Sequence, residues 1–491
     1  TLFLIGTLAG WSDAMYQGMD MVGPDLQPSL EANPYAALYF IAFVFISAFF
    51  LSNLFVGVLI TLLGTETGHA LETSAQSKWV AMQIMVSQVD NDEKEGQPED
   101  MPGWRASIHG LVANKKAERR RIASSPTFFR THGDFKEEQA VVQEKMLAEM
   151  KSTLLDSMRA GTFETSRGEG NAAVTFRLAQ EYGMCWGAER SIELALAATE
   201  KYPDKRKHIT NELLHNPGVN NMLADAGVEF VDKTADGGKR FDDVSPGDVV
   251  ILPAFGASYE EMDLFDQKNV DVVDTTCPWV SKVWNSVDKH QKAGSTSIIH
   301  GKYAHEETIA TLSFCEDYIV VKDMDEAQMV ADYITQGGDK EAFLEHFRNA
   351  ISDGFDPDTM LNKIGLANQT TMYKKETQAI GKLFELTMIQ KYPEDASDRF
   401  VAFDTICDAT QVRQDAIQEM IQDPKVDELD FILVVGGFDS SNTAHLVEIP
   451  HDAGKTVFHI NEGDCIREDN SVKHRLLNGD VVIENDWLPT D

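Results

Sequence analysis

Cysteine is scarce in this chain, with 5 among 491 residues. That excludes a disulfide-stapled secreted scaffold and fits a reducing compartment with buried or functional thiols. Cations are short as well: 43 Lys and Arg stand against 79 Asp and Glu, a formal charge of −36. Such a chain repels a polyanion, so nucleic acid is excluded as a partner. Charge of either sign is missing altogether between Glu31 and Glu66. Apolar residues are plentiful, 43% of the chain, enough over this length to bury the cores of two to four domains.

The charge-free window holds the run from Tyr35 to Ile60, rich in Phe, Leu, Ile, Val and Ala. A bilayer core of roughly 30 Å needs about 20 apolar residues in a helix, so residues 35–60 are expected to form one transmembrane helix. Thr1 to Tyr16 is a shorter apolar stretch, broken after Thr7, and reads as a re-entrant loop. Thr7-Leu-Ala-Gly-Trp11 and Ser52-Asn-Leu-Phe-Val-Gly-Val58 make residues 1–64 resemble the pore loop and last helix of one repeat of a voltage-gated sodium or calcium channel. Ser77-Lys-Trp-Val-Ala-Met-Gln83 and Pro102-Gly-Trp-Arg-Ala-Ser-Ile-His-Gly-Leu-Val112 are similar to the linker after such a repeat. Ala9 stands where that family often carries an acidic residue or Lys, so selectivity would have to come from repeats absent here. The expectation is a channel remnant.

Residues 65–135 read as a cytoplasmic linker. Lys115-Lys-Ala-Glu-Arg-Arg-Arg121 places cations beyond the spanning helix, as the positive-inside rule expects, and Ile122-Ala-Ser-Ser-Pro126 follows as a solvated stretch. Residues 136–172 read as a helical lead-in, and residues 173–491 as an α/β domain. Strand candidates there are 248–252, 270–273, 296–300, 318–321, 431–435 and 456–460, alternating with amphipathic stretches such as 188–201, 279–291 and 408–422. Continuous apolar strands separated by helices predict parallel sheets covered on both faces.

Three cysteines share a setting. Cys185, Cys277 and Cys407 each follow a strand-like run and open a helical pattern, where α/β sheets bind ligands and where a helix N-terminus favours thiolate. Spacing alone leaves two readings open, buried core thiols or ligands of a metal, since no Cys-x-x-Cys pair exists. Cys315 and Cys465 lack that setting and read as packing thiols.

Seven strings in one order extend this grammar: Cys185-Trp-Gly-Ala-Glu-Arg-Ser191, Ile209-Thr-Asn-Glu-Leu-Leu-His215-Asn-Pro217, Leu252-Pro-Ala-Phe255-Gly-Ala257, Asp274-Thr-Thr-Cys277-Pro-Trp279, Ile299-His-Gly-Lys-Tyr-Ala-His305-Glu-Glu307-Thr308, Asn368-Gln-Thr370-Thr371-Met372 and Gly436-Gly-Phe-Asp-Ser440-Ser441-Asn442-Thr443. Over about residues 125–491 the chain resembles the 4-hydroxy-3-methylbut-2-enyl diphosphate reductases of plants and cyanobacteria, with Phe255 agreeing with that branch.

The resemblance implies a trefoil of three α/β modules around a central four-iron, four-sulfur cluster held by Cys185, Cys277 and Cys407. Three thiolates leave one iron open to substrate. It implies further that Glu307 and Thr370 are catalytic, Glu307 as the proton source. His215, His305, Thr371, Ser440, Ser441 and Asn442 would bind the diphosphate of an allylic substrate, which calls for several donors. Products would be isopentenyl and dimethylallyl diphosphate, the electrons would come from an external donor such as ferredoxin, and the compartment would be the plastid stroma or a prokaryotic cytoplasm. Taken alone, His305-Glu-Glu307 also fits a solvated helix start, and Ser440-Ser-Asn442 a turn. Two departures stand out. Phe438-Asp439 replaces Trp-Asn before Ser440, and the chain stops at Asp491, short of a Ser-Gly-Ala-Ser-Thr segment whose Ser also binds diphosphate in the family. The alternative function is a membrane cation-channel subunit with an appended soluble domain.

Overall fold

The computed structural model describes residues 118–150, 162–166, 173–234 and 238–488, with isolated positions Met15, Met19, Tyr35, Ala37 and Leu38 before them. The chain divides into two units, residues 1–100 and 101–491. The expected re-entrant loop and spanning helix lie outside the described residues, apart from those isolated positions. Among the described residues no helix is long and apolar enough to cross a membrane.

Three parallel sheets organise the second unit. The first has the strand order Phe128–Phe129, Asp271–Asp274, Val249–Leu252, Lys207–Ile209, Val228–Phe230, parallel throughout. Its central strand Val249-Val-Ile-Leu252 is buried along its length. Val249 and Ile251 enter one core with Ile192, Leu196 and Leu223, while Val250 and Leu252 enter another with Met262 and Phe265. Alternate side chains of a strand point to opposite faces, so a sheet covered on both sides needs apolar residues at every position. Each such side chain stabilises the fold by about 1.5–3 kcal/mol.

The second sheet runs Phe400–Ala402, Ile364–Asn368, Thr296–His300, Tyr318–Val321, again parallel. The third is a parallel pair, Ile432–Val435 with Val457–Ile460, followed by an antiparallel hairpin of Ser471–Arg475 and Val481–Asn485 that the sequence reading does not foresee.

Two stretches depart from expectation. The lead-in is helical over Gln139–Met150, but Thr162–Ser166 is a strand paired antiparallel with Ala173–Arg177. Residues 118–135 are no solvated linker. Phe128 and Phe129 pair with Val272 and Val273, Ile122 and Phe135 are buried, and the Arg119 guanidinium lies 4.1 Å over the Trp284 ring. The apolar positions here are too few and too irregularly spaced to show a period, which is why charge dominates the reading of this stretch.

Candidate active site

All three cysteines of interest are helix N-caps. Cys185 caps Trp186–Lys201, Cys277 caps Pro278–Lys292 and Cys407 caps Asp408–Gln422. Each has extended backbone just before the first helical turn, the conformation an N-cap requires. Cys185 Sγ accepts the Ala188 N–H at 3.4 Å, and Cys407 Sγ accepts that of Thr410 at 3.4 Å. Cys277 and Cys407 also sit at joins between modules. The strand Asp271–Asp274 belongs to the first sheet, yet the helix after Cys277 packs Val283, Trp284 and Val287 into the core of the second. The strand Phe400–Ala402 closes the second sheet, and the helix after Cys407 sends Ile417 into the third module. The backbone N–H groups of Cys277 and Cys407 donate to Ala254 and Thr370, which fixes both turns.

The thiols are close to one another. A Cβ at Gly187 would stand 2.6 Å from Cys277 Sγ and 3.8 Å from Cys185 Sγ, so only glycine leaves room there. Burial pushes the Cys277 thiol up to about 12, with Cys185 and Cys407 beside it adding to the effect. Cys407 is pushed up to about 11, again by burial first, against the hydrogen bonds from Thr410. The expectation that the helix N-terminus favours thiolate is therefore outweighed by desolvation at these two positions. Enclosed thiols of this kind ionise when a cation coordinates them, which fits a metal centre.

Among the described residues no three His, Cys, Asp or Glu side chains converge as the ligands of a single ion would. A multi-iron cluster has no such need, because each thiolate takes a different iron. The residues present fit that group.

Beside the cysteines stands Glu307, 2% exposed, in the first turn of Glu306–Leu312. Thr370 donates to both of its oxygens, the backbone N–H at 2.7 Å and the hydroxyl at 2.9 Å. Burial pushes the Glu307 carboxyl up to about 7, the two Thr370 bonds opposing it. The helix is capped by His305, whose Nδ1 accepts the Glu307 N–H at 3.1 Å. That bond requires an unprotonated Nδ1, so the neutral ring carries its proton at Nε2. Burial holds His305 down to about 3, with His215 and Lys302 adding to it. Its Nε2 lies 3.4 Å from His215 Nε2, and His215 stacks on Phe255 with ring centroids 4.5 Å apart.

The third module closes the group. Ser440 caps the helix Ser441–Asp452 and accepts the Thr443 N–H at 3.2 Å. Ser441 is buried, and Asn442 Oδ1 is buried without a hydrogen-bond partner among the described residues. Turning that amide over would present N–H donors at the same place. A Cβ at Gly437 would fall 1.7 Å from the carbonyl oxygen of His215, so this loop lies against the first module with no space between. Thr371 joins through Gln369, whose Nε2 donates to Thr371 Oγ1 at 2.8 Å and reaches Ser441 Oγ at 3.4 Å. Gln369 is a residue that the sequence reading passes over. Its Oε1 accepts from the Lys302 N–H at 3.1 Å and from the Thr308 hydroxyl at 3.3 Å, so one amide ties three loops together. The only signal for it in the sequence is an amide beside Thr370.

Cys315 and Cys465 lie elsewhere, packed against the cores of the second and third modules. The structure thus gathers Glu307, Thr370, Thr371, His215, His305 and Ser441 into one hydrogen-bonded or ring-stacked network, with Ser440 and Asn442 at the adjoining helix start.

Comparison with known proteins gives this region a family. Residues 176–478 match the family model described as LytB protein, and residues 1–70 match that described as Ion transport protein. A 4-hydroxy-3-methylbut-2-enyl diphosphate reductase from Picosynechococcus sp. is 46% identical over 375 residues, 76% of this chain and 90% of the relative. Reductases of the same name from Synechococcus sp. and Nostoc sp. are 51% and 50% identical, covering 69% and 72% of this chain and 83% and 85% of theirs. Among solved structures, the E-1-hydroxy-2-methyl-but-2-enyl-4-diphosphate reductase of Plasmodium falciparum overlaps 57% of this chain and 74% of its own, at 22% identity and a TM-score of 0.43. With its cysteine-capped helices and buried acid in the matched region, the chain belongs to the LytB family of 4-hydroxy-3-methylbut-2-enyl diphosphate reductases.

Proposed function

We propose that the second unit removes the allylic hydroxyl of 4-hydroxy-3-methylbut-2-enyl diphosphate, giving isopentenyl and dimethylallyl diphosphate in the methylerythritol phosphate route to isoprenoids. The observation that carries this reading is the Glu307 carboxyl, buried and raised to about 7, within electrostatic reach of the helix-capping thiols of Cys277 and Cys407. The reaction exchanges a C–O bond for a C–H bond, so two electrons and two protons enter and one water leaves. A four-iron, four-sulfur cluster held by Cys185, Cys277 and Cys407 would supply single-electron chemistry and an iron without a protein ligand, fed by an external donor of the ferredoxin class.

The chain's own residues do the rest. Glu307 holds a proton near neutral pH and gives it to the departing hydroxyl, as C–O cleavage requires. Thr370 then stabilises the carboxylate left behind, since its N–H can only donate. His305 and His215, opposite Ser440, Ser441 and Asn442, hold the diphosphate, with Gln369 keeping Thr371 and Ser441 in register. The test is the full chain purified without oxygen, assayed for iron, sulfide and conversion of the substrate with a reduced low-potential donor. Cluster-loaded protein that leaves the substrate unchanged would overturn the reading.

The match of residues 1–70 to an ion-transport family supports a second reading, for the first unit. Residues 35–60 enter a membrane and anchor the chain, while the reductase works in the plastid stroma or, in a prokaryote, the cytoplasm. After an alkaline carbonate wash the full chain should remain with the membrane fraction. Its release into the supernatant would refute the anchor.

A further inference from the structure

The turn that carries Cys277 is built around a buried charge. Asp274, 1% exposed, ends its strand three residues before Cys277 and accepts the Thr276 N–H at 3.0 Å. A carboxylate in such a place needs a cation, and Arg130 provides one, its Nε 3.5 Å from Asp274 Oδ2. The same guanidinium donates to Ser281 Oγ at 3.1 Å, one helical turn after Cys277, and the Ser281 N–H donates to the Cys277 carbonyl at 3.2 Å. Arg130 therefore touches the chain on both sides of the cysteine. Its own backbone is fixed in turn: Phe128 and Phe129 pair with Val272 and Val273, the Arg130 N–H donates to Asp134 at 2.9 Å, and the Arg130 carbonyl accepts from Arg190 at 2.5 Å. Arg190 lies on the helix capped by Cys185, and it also donates to the Thr275 and Thr276 carbonyls at 3.4 and 3.2 Å.

Burial alone would drive Asp274 to protonate, but Arg130, Thr276 and Arg119 together hold it below the usual carboxylate range. Arg119 lies half-buried over Trp284 and Phe314 and approaches from the same segment. Both arginines lie well before residue 176, where the match to the reductase family model begins.

We propose that Arg130 is a positioning residue for Cys277, clamping its turn from the strand side through Asp274 and from the helix side through Ser281. The consequence for the cluster rests on the reading of Cys277 as a ligand; the consequence for the turn does not. Removing Arg130 takes away the cation that salt-bridges the buried carboxylate and leaves only Arg119 to offset it, whereas removing the carboxylate as well ends the need for that cation. R130M should open the turn in the metal-free full chain, raising the rate at which iodoacetamide alkylates Cys277 by about tenfold or more. Labelling of Cys185 and Cys407, read in the same digest, should change by less than about threefold, because they lack this clamp. R130M/D274N should return Cys277 most of the way to its starting rate, since the amide introduced in place of Asp274 still offers an oxygen to the Thr276 N–H. Iron retained after reconstitution should follow the same order, lowest in R130M and recovered in the double variant.

An R130M chain with unchanged Cys277 labelling would overturn the clamp, as would equal acceleration at all three cysteines, which would signal general loosening. A double variant no better than R130M would show that charge pairing is not its basis. The ligand reading is tested separately by C277S: full iron in that variant would remove the link to the cluster while the labelling result stood.

Discussion

Thr370 binds both carboxyl oxygens of Glu307, with its backbone N–H at 2.7 Å from one and its hydroxyl at 2.9 Å from the other. Glu307 lies on the helix that follows Thr296–His300 and Thr370 on the loop that follows Ile364–Asn368, two neighbouring strands of the second sheet, so the acid is oriented by the fold and not by its own helix alone. Burial raises Glu307 to about 7, and these two bonds limit the rise. The protonated form is the acid, so turnover should be at its plateau below neutrality and fall about tenfold per unit well above pH 7. Glu307→Gln should bind substrate yet lose roughly 10²–10⁴-fold in turnover, and its residual rate should lack that limb. Single-turnover kinetics across pH would show this. A near-normal rate in the amide variant would remove Glu307 from the chemistry.

Thr370→Val separates orientation from acidity. It keeps the backbone donor and the side-chain shape while deleting the hydroxyl bond to Oε2. That bond favours the carboxylate, so its loss raises the Glu307 pKa further and moves the alkaline limb to higher pH. Turnover below neutrality should change by less than about tenfold, the scale of one hydrogen bond. A limb that stays in place, or moves down, would show that the hydroxyl does not tune the acid.

The cysteines divide by setting. Changing Cys185, Cys277 or Cys407 to Ser should abolish iron and sulfide binding and the broad visible absorption of a cluster. Cys315 packs against the second core and Cys465 is buried in the third, so Ser at either should retain iron at a stability cost of about 1–3 kcal/mol. Equal iron loss at Cys315 would reverse the assignment.

Much of this is legible in the amino-acid sequence. Thr296–His300 and Tyr318–Val321 read correctly to the residue because they are short, apolar and bounded by turns. The strand Ile364–Asn368 escapes notice because Gly365 and Ala367 carry no β-branched signal. Gly365 is there for packing, since a Cβ would stand 2.2 Å from the His290 ring. The cysteine positions at helix starts are readable from local grammar, and the grouping of Glu307 with Thr370, 63 residues apart, only through family resemblance. Residues 118–135 mislead in a different way. The stretch reads as a solvated linker, yet Phe128 pairs with Val272 and Arg130 with Asp274, partners more than a hundred residues away that no local pattern reveals.

Gly187→Ala tests how closely the cluster ligands are packed. The added methyl would sit 2.6 Å from Cys277 Sγ, inside any real contact. The thiol can escape only by rotating away from its neighbours, and Ala is otherwise a better helix former than Gly by roughly 1 kcal/mol. Thermal stability of the metal-free chain should therefore hold or rise while reconstituted iron falls. Full iron in this variant would mean that the Cys277 side chain has freedom that the structure does not give it.

Gly437→Ala tests the other wall. Its Cβ would lie 1.7 Å from the His215 carbonyl oxygen and 2.5 Å from the carbonyl carbon, and backbone cannot swing aside as a side chain does. Either the loop before Ser440 or the segment bearing His215 must move. Those segments carry the groups read as facing the diphosphate from opposite sides, so the donors separate by about an ångström, a misplacement worth up to about 10²-fold. Neither Cys185, Cys277 nor Cys407 touches this contact, so iron and sulfide per chain should match the parent. The expected result is a raised KM, together with a matching loss of inhibition by inorganic pyrophosphate. Reduced iron with unchanged KM would place this contact on the cluster side and contradict the assignment of His215 and Ser440 to the diphosphate.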